Sequence, residues 1–234
     1  MAEGQDRIRL LDPLVSARIA AGEVVEQPAS VVRELVDNAI DAGADSISVE
    51  LTDGGMTSIR VIDNGCGMGA ADLARSVLKH ATSKISSLED LDRVTSMGFR
   101  GEALFAIASV SRLRLVSNSG SGGHEIVVDN GNPGEVRAAA SPAGTIVEVT
   151  GLFRDIPARR AFLKSPAVEA RAVRRMLAEK MLAWPGIRFV LVSDGADIVR
   201  SAAGDLLSRI SDLYDSRLAS LLIPVVHEEA GIGI

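Results

Sequence analysis

The sequence feature that most constrains the fold is an amphipathic helix followed at once by two short β-rich runs. Between Pro28 and Gly43 the apolar residues recur with a helical period, and proline and glycine stand where helices begin and end. Residues 46–51 and 58–62 are rich in β-forming residues, and Asp53-Gly54-Gly55 lies between them. This spacing predicts a β-hairpin, which is typical of antiparallel sheets rather than doubly wound parallel ones.

The remainder of the chain continues the same mixture of helices and strands. The patterns predict further helices at 16–25, 70–80, 101–110, 167–183 and 205–222, strands near 112–117, 125–128, 145–150 and 187–192, and a long functional loop at 81–99. Because hairpin-like spacing dominates, we expect an α+β fold with a mixed, mostly antiparallel sheet and helices packed on one face. The 234 residues suffice for one substantial domain, or for one domain and part of a second.

Composition limits which residues can form the core and which cellular compartment suits the protein. Apolar residues make up 47% of the chain but aromatic residues only 3%, so the core must consist mainly of Val, Ile, Leu and Ala. Cys66 is the only cysteine, which excludes an internal disulfide and a cysteine-based zinc site. The start of the chain lacks a signal-like apolar core, and no apolar run reaches about 18 residues. We therefore expect a cytoplasmic protein with no membrane partner.

Charge is distributed unevenly along the chain. The formal net charge is −6, which argues against a surface coated with positive charge for nucleic acid. Residues 154–180 nevertheless contain eight Lys or Arg against three Asp or Glu, a local excess of +5. This basic cluster predicts a contact with a polyanion such as the DNA backbone, although an ordinary solvated helix face has the same composition.

The helix predicted at 28–43 carries a polar stripe opposite its apolar one. The stripe consists of Glu34, Asp37, Asn38 and Asp41, which stand at i, i+3, i+4 and i+7. A carboxylate and an amide one turn apart suit a general base beside a Mg²⁺ ligand, since magnesium prefers oxygen donors. Taken alone, the stripe is more simply the solvated face of an amphipathic helix.

A glycine-rich segment, Asp63-Asn64-Gly65-Cys66-Gly67, follows a predicted strand directly. An Asp at a strand end can accept hydrogen bonds from an exocyclic amine, as adenine recognition requires, and the glycines let the backbone approach a flat ring. A glycine turn capped by Asp63 explains the same residues. The segment lacks the third glycine of a dinucleotide fingerprint, and the chain has no P-loop.

Further along, Gly98-Phe99-Arg100-Gly101 opens a predicted apolar helix. Free backbone N–H groups at a helix start form an anion site that suits phosphate oxygens. Upstream, Thr82-Ser83-Lys84 adds two hydroxyl groups and a cation. A glycine-led helix start is more often purely structural, so the order of these motifs carries more weight than any one of them.

The order of the motifs resembles that of the ATPase superfamily that contains gyrases, heat-shock chaperones, histidine kinases and MutL proteins (GHKL). The matching elements are Glu34 with Asn38, Asp63-x-Gly65-x-Gly67, Gly98-x-x-Gly101 and Gly144-Thr145, in that order. Within the superfamily, the chain resembles the MutL mismatch-repair family over residues 8–200. The stretches that carry this closer resemblance are residues 19–25, 28–32, 80–84, 98–104 and the Pro-Ala-Arg-Arg sequence at 157–160.

The resemblance implies a role for each candidate site residue. Glu34 would be the base that activates the attacking water, Asn38 would hold Mg²⁺, and Asp63 with Thr145 would read adenine. The lid and phosphate contacts would come from Thr82, Ser83, Lys84 and the backbone of Gly98, Phe99, Arg100, Gly101, Glu102, Ala103 and Leu104. Gly67 and Met68 would also contact the nucleotide. ATP and Mg²⁺ are therefore the expected cofactors.

The resemblance also implies a biological role. The family works as an ATP-gated homodimeric clamp on DNA that links mismatch recognition by the protein MutS to downstream nucleases or helicases. It implies an ATPase domain at 1–200 and the truncated start of a second domain at 201–234, the remainder of which would bring a lysine to the γ-phosphate. Two alternatives stay open, namely a module that holds ATP without useful hydrolysis and acts through dimerisation, and the ATPase subunit of a topoisomerase. The 157–160 stretch argues against the second alternative.

Overall fold

The computed structural model describes residues 12–83, 101–223, 228–229 and 232–233. In these ranges the helices are α1 (Pro13–Val24), α2 (Pro28–Asp41), α3 (Ala70–Ser76), α4 (Ala103–Ser109), α5 (Pro157–Arg160), α6 (Pro166–Ala183), α7 (Leu206–Leu213) and α8 (Ser216–Leu221). The strands are β1 (Ser46–Thr52), β2 (Ser58–Asp63), β3 (Arg112–Asn118), β4 (Gly123–Asp129), β5 (Asn132–Pro133), β6 (Arg137–Ala138), β7 (Gly144–Thr150), β8 (Arg188–Ser193), β9 (Ala196–Ser201), β10 (Glu228–Glu229) and β11 (Ile232–Gly233). Most of the loop predicted at 81–99 lies outside the described residues.

Nine of the described strands form one sheet in the order β5-β4-β3-β7-β2-β1-β8-β9, with β6 also paired to β4. The described pairings in this sheet are antiparallel except for β1 with β8, which is parallel. Strands β1 and β2 form the predicted hairpin, joined by the 3₁₀ turn Asp53–Gly55. The expectation of a mixed, mostly antiparallel sheet is confirmed.

The two faces of the sheet differ because side chains alternate along each strand. One face is apolar and packs with the helices in a single core. The strand residues of this core are Ile47, Val49, Leu51, Ile59, Val61, Leu113, Leu115, Ile126, Val128, Val147, Val149, Phe189 and Leu191. The opposite face carries ion pairs, among them Arg60 with Glu50 at 3.0 Å and Arg114 with Glu125 at 2.8 Å. The helices therefore cover one face of the sheet, as the sequence predicts.

Helices α2 and α6 pack against each other on the covered face. Leu35 and Val36 of α2 and Leu177 of α6 are almost completely buried in the shared core. Beside them, the Lys180 ammonium lies 2.6 Å from an Asp37 carboxylate oxygen, and both side chains are mostly buried, at 15% and 12% exposure. This ion pair tethers α2 to α6. No helix in the described part of the chain has the length and apolar character needed to cross a membrane.

The single helix predicted at 205–222 is wrong, because the structure has two helices there. Helix α7 ends before Tyr214, and Asp215 caps α8 by accepting a hydrogen bond from the Leu218 amide at 2.6 Å. The Asp215 side chain bonds to a backbone N–H of the first turn of α8, and this cap favours the start of a second helix over continuation of α7. The sequence pattern does not reveal the break between α7 and α8, because the apolar residues of 205–222 recur with one helical period across both helices.

Strand β9 is not predicted by the sequence patterns, yet it pairs with β8 at the edge of the sheet. Its alternation is weak because Ser201 is its only buried residue. Helix α7 then returns to the sheet through Arg209, which is 1% exposed. The Arg209 guanidinium donates hydrogen bonds to the carbonyl oxygens of Pro185, Ile187 and Ala202. The packed body therefore continues past residue 200 into α7.

Candidate functional site

Three neighbouring strands place polar side chains side by side. Strands β2, β7 and β3 are adjacent in the sheet, and Thr145 of β7 pairs with Asp63 on one side and with Ser117 on the other. Directly paired residues on adjacent strands project their side chains to the same face. Asp63, Thr145 and Ser117 therefore form one line across three strands, which we call the polar row.

Asp63 is the partly buried end of the polar row, at the last residue of β2. Its carboxylate accepts hydrogen bonds from the backbone N–H of Gly65, at 2.9 Å, and from that of Thr145. Burial raises the pKa of the Asp63 carboxyl above its ordinary value, and the two hydrogen bonds oppose this rise. Asp63 is thus a sheltered acceptor that its own neighbours hold in place.

Two glycines allow neighbouring backbone segments to close around the polar row. Gly144 has a φ of 110°, and a Cβ at this position would overlap the carbonyl oxygen of Asp63. Gly67 has a φ of 63°, and a Cβ there would overlap the carbonyl group of Asn118. Only glycine combines this backbone conformation with so close an approach. The glycines of the second and fourth motifs therefore shape the backbone beside Asp63 and Thr145.

Ser117 is a member of the polar row that the motifs do not predict. Its hydroxyl oxygen accepts a hydrogen bond from the Met68 amide at 2.8 Å, and it lies 2.8 Å from the Thr145 hydroxyl oxygen and 3.1 Å from the Gly144 carbonyl oxygen. It thus joins two predicted site residues, Met68 and Thr145. The sequence does hold one signal for Ser117. It follows Leu113 and Leu115 on the buried side of β3, and a buried serine hydroxyl must find hydrogen-bond partners.

The loop after Asp63 connects the polar row to helix α2. The Cys66 amide donates a hydrogen bond to the carbonyl oxygen of Ala42, just beyond the end of α2, at 2.9 Å. The Asn64 side chain closes the same loop onto the start of β1, because its Oδ1 accepts from the amides of Asp45 and Ser46 at 3.1 and 3.0 Å. Asn64 is therefore structural, and the loop fixes α2 relative to the row.

Helix α2 carries Glu34 and Asn38 one turn apart, and both side chains are half-buried. Glu34 lines a polar cavity of about 180 Å³ with Val24, Glu26, Ser30 and Arg33. The predicted stripe is divided, because Asp37 is committed to Lys180 of α6. The Glu34 carboxylate at the cavity and the Asn38 carboxamide one turn along the same helix are what we call the acid–amide pair.

The predicted phosphate-binding segments meet at the turn before α4. A Cβ on Gly101 would lie 2.6 Å from the carbonyl oxygen of Ala81, so the two backbones are in contact. Beside them, Nδ1 of His80 lies 3.2 Å from a carboxylate oxygen of Glu102. Thr82 and Ser83 follow directly, and Ala103 and Leu104 begin α4. The predicted residues Lys84, Gly98, Phe99 and Arg100 lie outside the described residues.

The candidate ligands for a metal ion are oxygen atoms. The acid–amide pair offers the Glu34 carboxylate and the Asn38 side-chain oxygen, which are of the type that Mg²⁺ prefers. Among the residues that the structure describes, no three His, Cys, Asp or Glu side chains gather into a metal-binding group. The pair therefore fits a Mg²⁺ ion that takes few ligands from the protein and the rest from phosphate and water.

The basic cluster at 154–180 separates into engaged and exposed side chains. Lys180 pairs with Asp37, Arg154 contacts Asp129 and Asp155, and Arg159 donates to the carbonyl oxygen of Ile19 at 3.3 Å. The other five basic side chains, which we call the exposed basic set, are Arg160, Lys164, Arg171, Arg174 and Arg175. Three of the five lie on α6, on the side away from the core.

Comparison with known proteins places this architecture in a class. Residues 26–129 match the family described as histidine kinase-, DNA gyrase B-, and HSP90-like ATPase. The solved ATPase domain of MutL from Aquifex aeolicus, complexed with ADP, is similar with a TM-score of 0.65 and 34% sequence identity. The similarity covers 82% of this chain and 70% of that one. The fold and these similarities place the chain in the class of GHKL-type ATPase domains.

Curated proteins narrow the class to a family. The DNA mismatch repair protein MutL of Opitutus terrae is 45% identical over 97% of this chain, and that of Pelobacter propionicus is also 45% identical over 97%. The chain belongs to the MutL family of DNA mismatch-repair proteins. It spans 36% and 38% of the length of these two relatives. The resemblance carried by the sequence motifs is confirmed.

Proposed function

We propose that this chain is the ATP-binding and ATP-hydrolysing module of a mismatch-repair clamp. The observation that supports the proposal best is the link between the polar row and α2, where the Cys66 amide bonds to Ala42 in the loop that follows Asp63. One end of this unit offers hydrogen-bond acceptors suited to a base. The other end offers oxygen donors suited to water and a metal ion.

At the base end, Asp63 would accept a hydrogen bond from the exocyclic amine of adenine. Its burial matters because a hydrogen bond to a carboxylate is stronger where water competes less. Thr145 lies next to Asp63 in the register of β2 and β7, with a mostly buried side chain. Gly67 and Met68 lie in the loop that follows Asp63, and their backbone would approach the ring.

At the phosphate end, Glu34 would accept a proton from the attacking water. The water oxygen forms a bond to the γ-phosphorus, the bond from that phosphorus to the bridging oxygen breaks, and ADP leaves. Phosphoryl transfer asks a protein mainly for positioning and for stabilisation of charge. Thr82, Ser83 and the backbone from Gly101 to Leu104 would supply contacts to the phosphates, together with Lys84, Gly98, Phe99 and Arg100.

Mg²⁺ would be held by the side-chain oxygen of Asn38 together with phosphate oxygens and waters. When bound, the ion would neutralise charge on the phosphates. Asn38 is one turn from Glu34, which keeps the ligand and the base on one rigid element. We therefore assign Asn38 to metal binding and Glu34 to proton transfer.

The test is a titration of the chain with Mg²⁺ and a non-hydrolysable ATP analogue, followed by a turnover assay with ATP. We expect binding that depends on Mg²⁺, and Asn38→Ala should abolish that dependence. Unchanged affinity and unchanged Mg²⁺ dependence in Asn38→Ala would remove the metal assignment. If the wild type binds ATP but turns it over no faster than Glu34→Ala, the chain is a module that holds ATP and acts through dimerisation.

The biological part of the proposal concerns dimerisation, DNA and repair partners. We propose that ATP orders the lid and drives homodimerisation, that the exposed basic set contacts the DNA backbone, and that MutS and a nuclease or helicase are the partners. Light scattering with and without the ATP analogue tests the first step, because a nucleotide-independent mass would contradict it. We also place the end of the ATPase domain after α7, since Arg209 anchors that helix to the sheet.

A further inference from the structure

The Ser117 hydroxyl is completely buried and has three polar neighbours. They are the Met68 amide at 2.8 Å, the Thr145 hydroxyl at 2.8 Å and the Gly144 carbonyl oxygen at 3.1 Å. We propose that Ser117 is a positioning residue that orients the Thr145 hydroxyl proton and thereby makes the site select a 6-amino purine over a 6-oxo purine. This inference rests on the proposed function, because it concerns how the same site discriminates between bases.

The argument begins with the hydrogen-bonding capacity of a serine hydroxyl, which is one donor and two acceptor positions. The Met68 N–H can only donate, so it occupies one acceptor position of Ser117. The Gly144 carbonyl oxygen can only accept, so the Ser117 proton satisfies it. One acceptor position is left on Ser117, and the Thr145 hydroxyl is the neighbour that can fill it by donating.

This arrangement uses the whole hydrogen-bonding capacity of Ser117, as a fully buried hydroxyl favours. As a result, the hydroxyl proton of Thr145 points toward Ser117. The Thr145 oxygen is then left with acceptor positions only. The reverse arrangement, with Ser117 donating to Thr145, would remove the Ser117 donor from the Gly144 carbonyl oxygen. The set of three contacts therefore favours one direction for the Thr145 proton.

Thr145 and Asp63 are direct neighbours in the register of β7 and β2. With the Thr145 proton turned toward Ser117, both side chains present acceptors. An exocyclic amine donates to acceptors, whereas the oxygen of a 6-oxo purine is itself an acceptor and is left without a donor. A site that leaves polar groups unpaired rejects a ligand more strongly than one that only fits it less well. Ser117 thus strengthens the discrimination that Asp63 provides.

The experiment compares the affinities of the chain for ATP and ITP in the presence of Mg²⁺, since the base of ITP carries a 6-oxo group and an N1–H where adenine carries a 6-amine and an unprotonated N1. In Ser117→Ala the Thr145 hydroxyl is free to turn and donate outward. We expect the ATP:ITP affinity ratio to fall by about three- to tenfold, the effect of one neutral hydrogen bond. In the Thr145→Val background, the same Ser117→Ala change should leave the ratio unaltered, because no hydroxyl remains to be oriented.

Ser111→Ala is the matched control. Ser111 is as completely buried as Ser117, but it follows α4 and its hydroxyl donates back to the carbonyl oxygen of Ile107 in that helix, at 2.6 Å. We expect its ATP:ITP ratio to equal that of the wild type. A fall in the ratio of the same size in Ser111→Ala and Ser117→Ala would overturn the inference, since it would reflect general loosening of the core.

The outcomes also separate this inference from the proposed function. If the wild type binds neither ATP nor ITP, the proposed function fails first. If the wild type prefers ATP and Ser117→Ala keeps that preference, the role of Ser117 is overturned while ATP binding stands. Should Ser117→Ala fail to fold, Ser117→Cys carries the test, because the thiol keeps the volume but is a weaker donor and acceptor. An unchanged ratio in Ser117→Cys together with an unchanged ratio in Thr145→Val overturns the proposal.

Discussion

The polar row and the acid–amide pair are held in place by different kinds of interaction. Asp63, Thr145 and Ser117 lie on three adjacent strands, where backbone register fixes their spacing and hydrogen bonds fix their orientation. Glu34 and Asn38 lie on a helix, α2, and depend on where that helix packs. Its position is set by apolar burial, by the loop bond to Ala42 and by a buried ion pair with α6.

This difference separates recognition from chemistry. A central sheet is among the most stable parts of a fold, so a base-reading surface built on it varies little. The placement of a helix depends instead on the side chains that it packs against. We therefore expect changes in the polar row to alter which nucleotide binds and how tightly. Changes around α2 should alter turnover. A change that only shifts the position of α2 should lower turnover by moving Glu34 and Asn38.

The largest expected effect is on turnover in Glu34→Ala. Hydrolysis should fall by about 10²–10⁴, the usual contribution of a general base, while affinity for ATP stays close to that of the wild type. Steady-state turnover and equilibrium binding measured on the same preparation give both quantities. Glu179→Ala is the control, since Glu179 is an exposed carboxylate on α6. Equal losses of binding and turnover in Glu34→Ala would mean that Glu34 is structural, and the separation of roles would break.

The second effect concerns the tether of α2. Lys180→Met leaves the Asp37 carboxylate mostly buried without its partner, and breaking such a pair costs about 3 kcal/mol. We expect the free energy of unfolding to fall by about that amount in a denaturant titration, with turnover reduced more than ATP affinity. The double variant Asp37→Leu/Lys180→Met should recover most of the stability, because neither charge is then buried alone. A single variant as stable as the wild type would mean that the tether contributes little.

The part of the molecule predicted from sequence follows the same division. The β1–β2 hairpin, the α2 helix and the strands of the polar row are all predicted, because their apolar periods and glycine positions are local signals. The motif order predicts the grouping of Asp63 with Thr145, which the register of β2 and β7 brings side by side. Local pattern and family resemblance thus suffice for the sheet and for the backbone around it.

What the sequence patterns miss depends on contacts between distant residues. Asp37 reads as one member of a solvated stripe, and nothing near it along the chain indicates a partner on α6. Ser117 belongs to no motif, and its role follows from neighbours on a different strand and in a different loop. Strand β9 and the break between α7 and α8 are also missed, because one has weak alternation and the other keeps its period. Tertiary hydrogen bonds and ion pairs leave little trace in a single sequence.

The third prediction concerns Asp63→Asn, which removes the charge but keeps the shape. ATP affinity should fall by about tenfold to a hundredfold, since hydrogen bonds to charged groups contribute about 1.5–3 kcal/mol. Calorimetric titration at neutral pH measures this loss. Asp45→Asn is the control, because Asp45 is an exposed carboxylate directly before β1 that accepts a hydrogen bond from the Asn64 side chain. If Asp63→Asn bound ATP as tightly as the wild type, the assignment of Asp63 to adenine recognition would be wrong.

The raised pKa of Asp63 gives the same variant a second readout, in the stability of the nucleotide-free chain. Because burial raises the folded-state pKa above the unfolded value, the native state holds the proton more tightly. The stabilisation from this group is present below the unfolded pKa and is lost as pH rises through the folded pKa. Asp63→Asn should therefore gain stability relative to the wild type at neutral pH and lose that advantage under acid conditions. Thermal melts at the two pH values measure the change, and an opposite sign would contradict it.

The smallest expected effect lies on the outward side of α6, whose inward side carries the tether. Replacing Arg171, Arg174 and Arg175 together by alanine should weaken duplex DNA binding and lower the slope of log affinity against log salt by at most about 3, since each phosphate contact contributes about 0.9. ATP affinity should stay unchanged, because Lys180 and the polar row are untouched. Fluorescence anisotropy over a salt series measures the slope, and the exposed residues Arg137 and Arg217, replaced together, are the control. If the affinity of the wild type for DNA did not depend on salt, these arginines would be an ordinary solvated helix face. The role of α6 would then be to hold α2.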